Sequence, residues 1–410
     1  MSVSGTGQTL MLSRTFGGRR ICVLMVDDQE VFGEAVKQMI GDADDIDFHF
    51  CSDPGEAIRL ANRVKPTVIL QDLVMDKIDG LTVVRFFQAN PATRNVPMVV
   101  LSSVEDAETK AKAFAHGAND YMVKLPDRLE VLARIRYHSR AYINLIERDE
   151  AYEAVVTTQK ALESELNEAE SYVTSLLPEP IDDGPVTTDW LFQSSTQLGG
   201  DAFGYHWLDD SRFAIYLLDV CGHGVGSALL SVSAINVIRN QTLPAVDFAN
   251  PGDVLAAMNN TFEMEKNNNR FFTMWYGVYD REKNSLLYSS GGHPPAILVS
   301  GDGDGENFEK LSTKGLMIGG MPDVPYQTET AQIETDSRLY VFSDGVYEVE
   351  YSNGRGVMSV DDFAAELARP AENGARKVKA MRGFSQRAQG GLDFEDDFSL
   401  VEICFRDSSP

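Results

Sequence analysis

Short apolar runs, rich in β-branched residues, alternate with longer amphipathic stretches over the first third of the chain. The runs are Ile21–Val26, Phe48–Cys51, Thr67–Leu70, Met98–Leu101 and Tyr121–Val123. Each gap is long enough for one helix. Such alternation predicts a doubly wound α/β domain, a five-stranded parallel sheet with helices on both faces. Strands buried on both faces should be apolar without interruption, as Ile21–Val26 and Met98–Leu101 are. The domain is expected over residues 19–138, preceded by a polar, flexible arm at 1–18.

The pattern then changes. From Ser139 to Leu177 there is no proline and no glycine, helix formers dominate, and Pro178 and Pro180 close the segment. Counted in sevens, one series is Leu145, Tyr152, Gln159, Leu166, Val173. The other is Arg148, Val155, Leu162, Ala169, Leu176. All are apolar except Arg148 and Gln159, which predicts a coiled-coil seam in a linker helix over 139–178 and a homodimer formed through it. The helix itself is expected to start near Arg128.

From Pro185 to Phe405 glycine becomes frequent. Strand-like runs (Phe213–Leu218, Met274–Tyr279, Ser285–Tyr288, Leu339–Phe342, Ser399–Cys404) mix with helical stretches at Val225–Asn240 and Asp253–Glu265. This predicts an α+β domain over 185–405 with extensive antiparallel sheet. Gly301–Glu306 reads as a mobile loop between strands.

At about 150 residues per domain, 410 residues divide into two or three domains. A hydrophobic share of 43% excludes wholesale disorder. The net charge of −26 disfavours nucleic acid and anionic membrane surfaces, so neither is expected as a direct partner. Cys22, Cys51, Cys221 and Cys404 are scattered without zinc spacing and read as reduced, mostly buried thiols. No apolar run approaches the roughly 18 residues of a membrane span, and the first 20 residues carry no secretory core segment. A cytoplasmic protein is expected.

Candidate chemistry gathers at strand ends. Asp27 and Asp28 follow the first run, Asp72 the third, Ser102 the fourth and Lys124 the fifth. In a parallel α/β sheet these carboxyl ends form one edge, where sites collect. Three converging carboxylates need a cation, and oxygen ligands suit Mg²⁺. With a lysine and a hydroxyl beside them, one carboxylate can accept a phosphoryl group. Val26-Asp27-Asp28, Leu70-Gln71-Asp72-Leu73-Val74-Met75, Asp79-Gly80, Ser102 and Val123-Lys124 together resemble a two-component receiver domain. The resemblance implies phosphorylation of Asp72 by a sensor histidine kinase or phosphotransfer protein. It also implies Mg²⁺ held by Asp28, Asp72 and the Val74 carbonyl, with Asp27 acting through water and Lys124 at the phosphoryl group. Ser102 and Tyr121 match the family's switch pair. Two positions depart from the family: Asp76 stands where proline is usual, and Leu125 separates Lys124 from Pro126.

A second acidic set follows. Asp201 closes Gly199-Gly200-Asp201, Asp219 opens Asp219-Val220-Cys221-Gly222-His223-Gly224, Asp344 precedes Gly345, and Asp396-Asp397 precede Phe398. Asp219, Asp344 and Asp396 each adjoin an apolar strand. Such strand-end carboxylates meeting across two sheets would make a paired-metal site for Mn²⁺ or Mg²⁺, able to activate water for attack on a phosphoryl group. His293, in Gly291-Gly292-His293-Pro294-Pro295, reads as a loop organiser rather than a base. The ordered set resembles PPM-type serine/threonine phosphatases, especially the bacterial subgroup that regulates sigma factors through their antagonists. The resemblance implies a β-sandwich flanked by helices, two metals contacted by Asp201, Asp219, the Val220 carbonyl, Asp344 and Asp396, and Asp397 behind them. It further implies a phosphorylated anti-sigma-factor antagonist as substrate. Asp201-Ala202-Phe203-Gly204 lacks the family's second aspartate. The alternative to an enzyme is a non-catalytic adaptor that binds a sigma factor or its antagonist.

Overall fold

The computed structural model describes residues 19–41, 43–76, 78–103, 107–124, 126–195, 198–300, 308–370 and 376–406. The expected arm at 1–18, the loop Gly301–Glu306 and Leu125 lie outside the described residues. The chain divides into two compact units, residues 1–159 and 160–410.

In the first unit, β1 (Ile21–Val26), β2 (Ile46–Cys51), β3 (Val68–Asp72), β4 (Met98–Ser102) and β5 (Asp120–Val123) pair in parallel in the order β2-β1-β3-β4-β5. Helices α1 (Glu30–Ile40), α2 (Ala57–Val64), α3 (Gly80–Ala89) and α4 (Ala107–Ala115) fill the gaps. Side chains alternate between faces along a strand. Val23 and Met25 therefore pack with Val36, Ile40, Val131 and Ile135, whereas Leu24 and Val26 pack with Ala57, Ala61, Val84 and Phe87. Both faces of the sheet are covered, as the uninterrupted apolar runs require. The third strand lies further along than the apolar run indicated. It excludes Thr67 and takes in Gln71 and Asp72, polar but fully buried. Strand order reverses between β1 and β3, and the crevice this leaves is where Asp27, Asp28 and Asp72 emerge.

Helix α5 (Arg128–Ser175) runs unbroken for 48 residues and passes residue 138 without interruption. Val131, Leu132, Ile135, Ser139 and Ile143 bury its first part. Further on, the heptad positions Tyr152, Val155 and Leu162 are 70%, 63% and 55% exposed, although apolar. Leu145, Leu166, Ala169, Val173 and Leu176 are half-buried. No described helix is long and apolar enough to cross a membrane.

The second unit stacks two five-stranded sheets. One has the order β13-β10-β9-β8-β7, from β7 (Asp201–Trp207), β8 (Arg212–Val220), β9 (Phe272–Asp280), β10 (Ser285–Gly291) and β13 (Glu329–Gln332). The other has the order β12-β11-β14-β15-β6, from β6 (Val186–Gln193), β11 (Ala296–Val299), β12 (Phe308–Leu311), β14 (Arg338–Phe342) and β15 (Phe398–Phe405). All these pairings are antiparallel. Phe203, Tyr205, Phe213, Ile215, Leu217, Trp275, Leu339, Val341, Val401 and Ile403 fill the space between the sheets. The alternate residues of the first sheet, such as Tyr216, Leu218 and Met274, meet α6 (Val225–Arg239) and α7 (Pro251–Thr261). Those of the second, such as Phe342 and Leu400, meet α8 (Val360–Ala368) and α9 (Lys377–Gln389). The result is a helix–sheet–sheet–helix stack.

Helix α7 starts two residues before the sequence reading and stops at Thr261. Pro251 sets its first turn, and a 3₁₀ turn at Met264–Lys266 replaces the expected last one. The segment after α5 is tied to the sandwich by carbonyls. Leu176 O accepts from Arg239 Nη2 (2.5 Å), Pro178 O from Trp190 Nε1 (2.9 Å) and Glu179 O from Tyr205 OH (2.7 Å). The four cysteines are free, but only Cys51 is buried; the other three are half-buried.

Two candidate acidic sites

In the first unit, ligand oxygens of Asp27, Asp28 and Asp72 all lie within 4.8 Å of one another. Asp27 and Asp72 are fully buried. Lys124 Nζ sits 2.8 Å from Asp72 Oδ2 and 3.0 Å from Asp27 Oδ2, and 4.1 Å from the centre of the Phe32 ring. Burial raises the Asp72 carboxyl above its ordinary value, the Lys124 ammonium opposes the rise, and the Asp27 charge adds to it. Asp28 Oδ1 is buried without a partner, as expected of an oxygen awaiting a cation. Ser102 is buried at the end of β4, and its carbonyl accepts from Lys124 N at 2.8 Å. Tyr121 lies on β5 opposite Val100, largely buried. Val74 is exposed, and its N–H reaches Asp72 Oδ1 at 3.3 Å. The departure at Asp76 has a structural consequence: its N–H donates to Asp28 Oδ2 at 2.7 Å, a bond that proline cannot make.

In the second unit, strand alternation aims the acids. Phe213, Ile215 and Leu217 face the sandwich interior, so Asp219 continues that face at the strand end. Phe203 and Tyr205 do the same for Asp201, Trp275 for Thr273, Leu339 and Val341 for Ser343, and Val401 and Ile403 for Ser399 and Asp397. Asp201 is paired across from Asp219, and Asp219 across from Thr273. Asp344 leaves the end of β14 through Ser343, and Asp396 stands exposed before β15. The mouth of the sandwich is therefore lined by carboxylates where its interior is apolar.

Electrostatics reflect this crowding. Burial, then the charges of Asp344 and Asp396, push Asp219 up to about 7. Burial, then Asp396, push Asp344 up to about 6. Asp201 is completely buried and raised well above the ordinary range, by that burial first and then by the charges of Asp219 and Asp397. Its Oδ2 is left without a partner. Asp396, at the rim, is raised by partial burial of its carboxyl, a rise opposed by the bond it accepts from Asp397 N at 2.8 Å. Groups this unfavourable to ionise together fit a site for divalent cations.

Asp397 does something else. Its Oδ1 accepts from Ser195 N (2.9 Å) and from the hydroxyls of Ser194 and Ser195 (both 3.2 Å), and its Oδ2 accepts from Gly200 N (2.8 Å). A side chain at Gly199 would run into this carboxylate. Gly222 and Gly224 have φ of 79° and 88°, the left-handed region that lets the chain turn from β8 into α6 after Asp219. His293 is buried, with its Nδ1 2.7 Å from the Thr273 hydroxyl. The sequence reading missed Ser343, Ser399 and Thr273. Extending the inward-facing positions of β14, β15 and β9 by two residues would have reached all three.

Residues 23–136 match the family Response regulator receiver domain, and residues 209–406 match the family Stage II sporulation protein E (SpoIIE). The chain thus joins a receiver domain to a SpoIIE-type domain. It is 28% identical over 188 residues to phosphoserine phosphatase RsbP of Bacillus subtilis, covering 45% of each chain. It is 30% identical over 203 residues to phosphoserine phosphatase RsbU of the same organism, covering 48% of this chain and 57% of RsbU. The match spans about half the length of these relatives. The SiaA PP2C domain of Pseudomonas aeruginosa aligns with 61% of this chain and 99% of its own, at a TM-score of 0.50 and 20% identity. The C-terminal fold is therefore that of a PP2C domain, the β-sandwich of the PPM type.

Proposed function

We propose that this chain is a response regulator whose output is a metal-dependent protein serine/threonine phosphatase. What supports the reading most is the meeting of Asp201, Asp219, Asp344 and Asp396 at the mouth of an apolar sandwich, with one buried Asp201 oxygen unpartnered. In this reading the receiver spans 19–138, the linker 139–178 and the phosphatase 185–405. A histidine kinase or phosphotransfer protein phosphorylates Asp72. Asp28, Asp72 and the Val74 carbonyl would hold Mg²⁺, with Asp27 acting through water; Lys124 would neutralise the phosphoryl group, and Ser102 and Tyr121 would respond to it.

In the second domain, Asp201, Asp219, the Val220 carbonyl, Asp344 and Asp396 would hold two Mn²⁺ or Mg²⁺ ions, with Asp219 the central ligand of the set. Such ions, when bound, acidify a water and neutralise phosphoryl oxygens. Asp397 holds the loop that carries Gly199 and Gly200, so that Asp201 faces Asp219. The names of RsbP and RsbU support a phosphoserine substrate, here a phosphorylated anti-sigma-factor antagonist in the cytoplasm. The exposed apolar seam of α5 supports a homodimer.

The test is phosphate release from a chromogenic ester and from a phosphoserine antagonist, with Mn²⁺ or with chelator. Asp219→Asn should lower turnover on the order of a hundredfold or more, since it removes an anionic ligand from between two cations. Asp72→Asn should lose labelling from an acyl-phosphate donor and keep basal phosphatase activity. Turnover of Asp219→Asn near the wild-type rate refutes the two-metal reading, and no turnover in the wild type with Mn²⁺ favours an adaptor.

A further inference from the structure

Each of the three receiver carboxylates has one oxygen fixed by a main-chain N–H. Gln29 N donates to Asp27 Oδ1 at 2.9 Å, Val74 N to Asp72 Oδ1 at 3.3 Å and Asp76 N to Asp28 Oδ2 at 2.7 Å. In the first two the donor stands two residues after its acceptor, so each acid is tied only to its own loop. Lys124 then bridges Asp27 to Asp72. The third bond crosses from the β3–α3 loop to the β1–α1 loop, 48 residues away. Among the described residues no other hydrogen bond or ion pair to the Asp28 carboxylate is found, and its Oδ1 is buried without a partner.

The loop, not the Asp76 side chain, sets where this donor stands. Gly80 N closes the loop onto Leu73 O at 3.1 Å, and a side chain at Gly80 would collide with the main chain of Asp72 and Leu73. Asp79 then caps α3 by accepting from Leu81 N. The Asp76 side chain is exposed. What counts at this position is that its nitrogen carries a hydrogen, and proline, usual here in receiver domains, has none.

We infer that the main-chain N–H of Asp76 is a positioning group for the receiver's Mg²⁺, engaging Asp28 Oδ2 and leaving Oδ1 as the oxygen offered to the cation. The inference rests on the receiver reading above. A carboxylate free to rotate loses that freedom when it binds an ion, and one already held does not. The bond also offsets part of the repulsion among three acids whose ligand oxygens lie within 4.8 Å of one another. The N–H acts through Asp28 and touches no reacting atom. Groups that hold ligands in place typically change metal affinity 10- to 100-fold when removed.

The test uses the full chain carrying Asp219→Asn and Asp344→Asn, so that the second acidic site contributes little to Mg²⁺ binding. Mg²⁺ titration calorimetry compares this background with the same chain bearing Asp76→Pro or Asp76→Ala. Alanine keeps the N–H and removes only an exposed, solvent-screened charge, so affinity should stay within about threefold. Proline removes the N–H and should weaken binding by roughly tenfold or more. Hydrogen exchange gives a readout that needs no substitution at residue 76, and it decides alone if the proline variant does not fold. Without Mg²⁺, the Asp76 amide should exchange roughly tenfold more slowly in the background than in the same chain with Asp28→Ala, where its acceptor is gone. Equal Mg²⁺ affinity in the proline and alanine variants, or equal exchange with and without Asp28, overturns the inference while leaving the receiver reading intact. If the background binds Mg²⁺ no better than the same chain with Asp72→Asn added, the receiver's metal site fails and the role of Asp76 falls with it.

Discussion

Replacing Asp397 by alanine should unfold the C-terminal domain more easily by about 3 kcal/mol, because it strips acceptors from two short main-chain bonds. The carboxylate receives Ser195 N at 2.9 Å and Gly200 N at 2.8 Å, and Asp397 is 6% exposed. Bonds to a charged acceptor contribute about 1.5–3 kcal/mol each, and an orphaned buried N–H costs about 1–3 kcal/mol. The two hydroxyl bonds at 3.2 Å add little, since half-buried Ser194 and Ser195 can turn to water. Against this, losing the Asp397 charge relieves Asp201 and Asp219, whose carboxyls that charge pushes up. The lower bound for the two charged bonds sums to about 3 kcal/mol, and the cost of leaving the two N–H groups orphaned roughly offsets the relief. Asp397→Asn keeps one oxygen for one N–H and should lose about half as much. Trp190, Trp207 and Trp275 all lie in the second unit, so tryptophan fluorescence in urea follows that domain alone. With chelator present, and a slope of about 2–3 kcal/mol per molar urea, the alanine midpoint should drop by roughly 1–1.5 M. A drop below about 0.3 M would show that the carboxylate does not hold the 194–201 loop.

Two further outcomes follow from features already described. Charging the exposed seam with Leu162→Glu and Leu166→Glu should convert a dimer to monomers in light scattering; a wild type already monomeric at micromolar concentration removes the dimer from the proposal. In chelator, Asp219 and Asp344 titrate near 7 and 6 when folded but near 3.8 when unfolded. The folded state therefore binds more protons between those values, and this contribution to stability is full below about pH 4 and lost as pH rises through about 7. Thermal unfolding followed by tryptophan fluorescence should show that decline in the wild type, less of it in Asp219→Asn, and its reversal by Mn²⁺; equal pH dependence in the two proteins contradicts it.

What was legible in the sequence was what hydrophobic burial writes there. Phe213–Leu218 is apolar throughout because one face meets the opposite sheet and the other meets α6, and Ile21–Val26 is apolar for the same reason. The edge strands β12 and β13 carry little such signal: Glu329–Gln332 has one buried residue, and main-chain hydrogen bonds, which any side chain permits, define it. The aspartates stood out because glycine and apolar strands frame them. Asp397 was placed behind the metals by family resemblance, but its clasp on Ser195 and Gly200 joins residues about 200 positions apart and leaves no local trace. Ser343 and Ser399 look like ordinary strand-end serines until both sheets are in place.

The pairing of β6 with β15 has a consequence for the order in which this domain is made. β6 is the first strand of the sandwich and β15 the last described, and they lie side by side along their full length. Asp396 and Asp397 arrive with β15, after every other acid of the mouth has left the ribosome. The second sheet stays open between β6 and β14 until then, and Gly200 N and Ser195 N wait for their acceptor. Sequence-distant closure of this kind is slow and leaves strand edges exposed meanwhile. A ribosome that stalls before residue 396 releases a chain with most of the sandwich core but an incomplete acid site. Completion of the acid site is thereby deferred until synthesis has passed β15, whereas the receiver pocket, whose acids and lysine all lie before residue 125, can form much earlier.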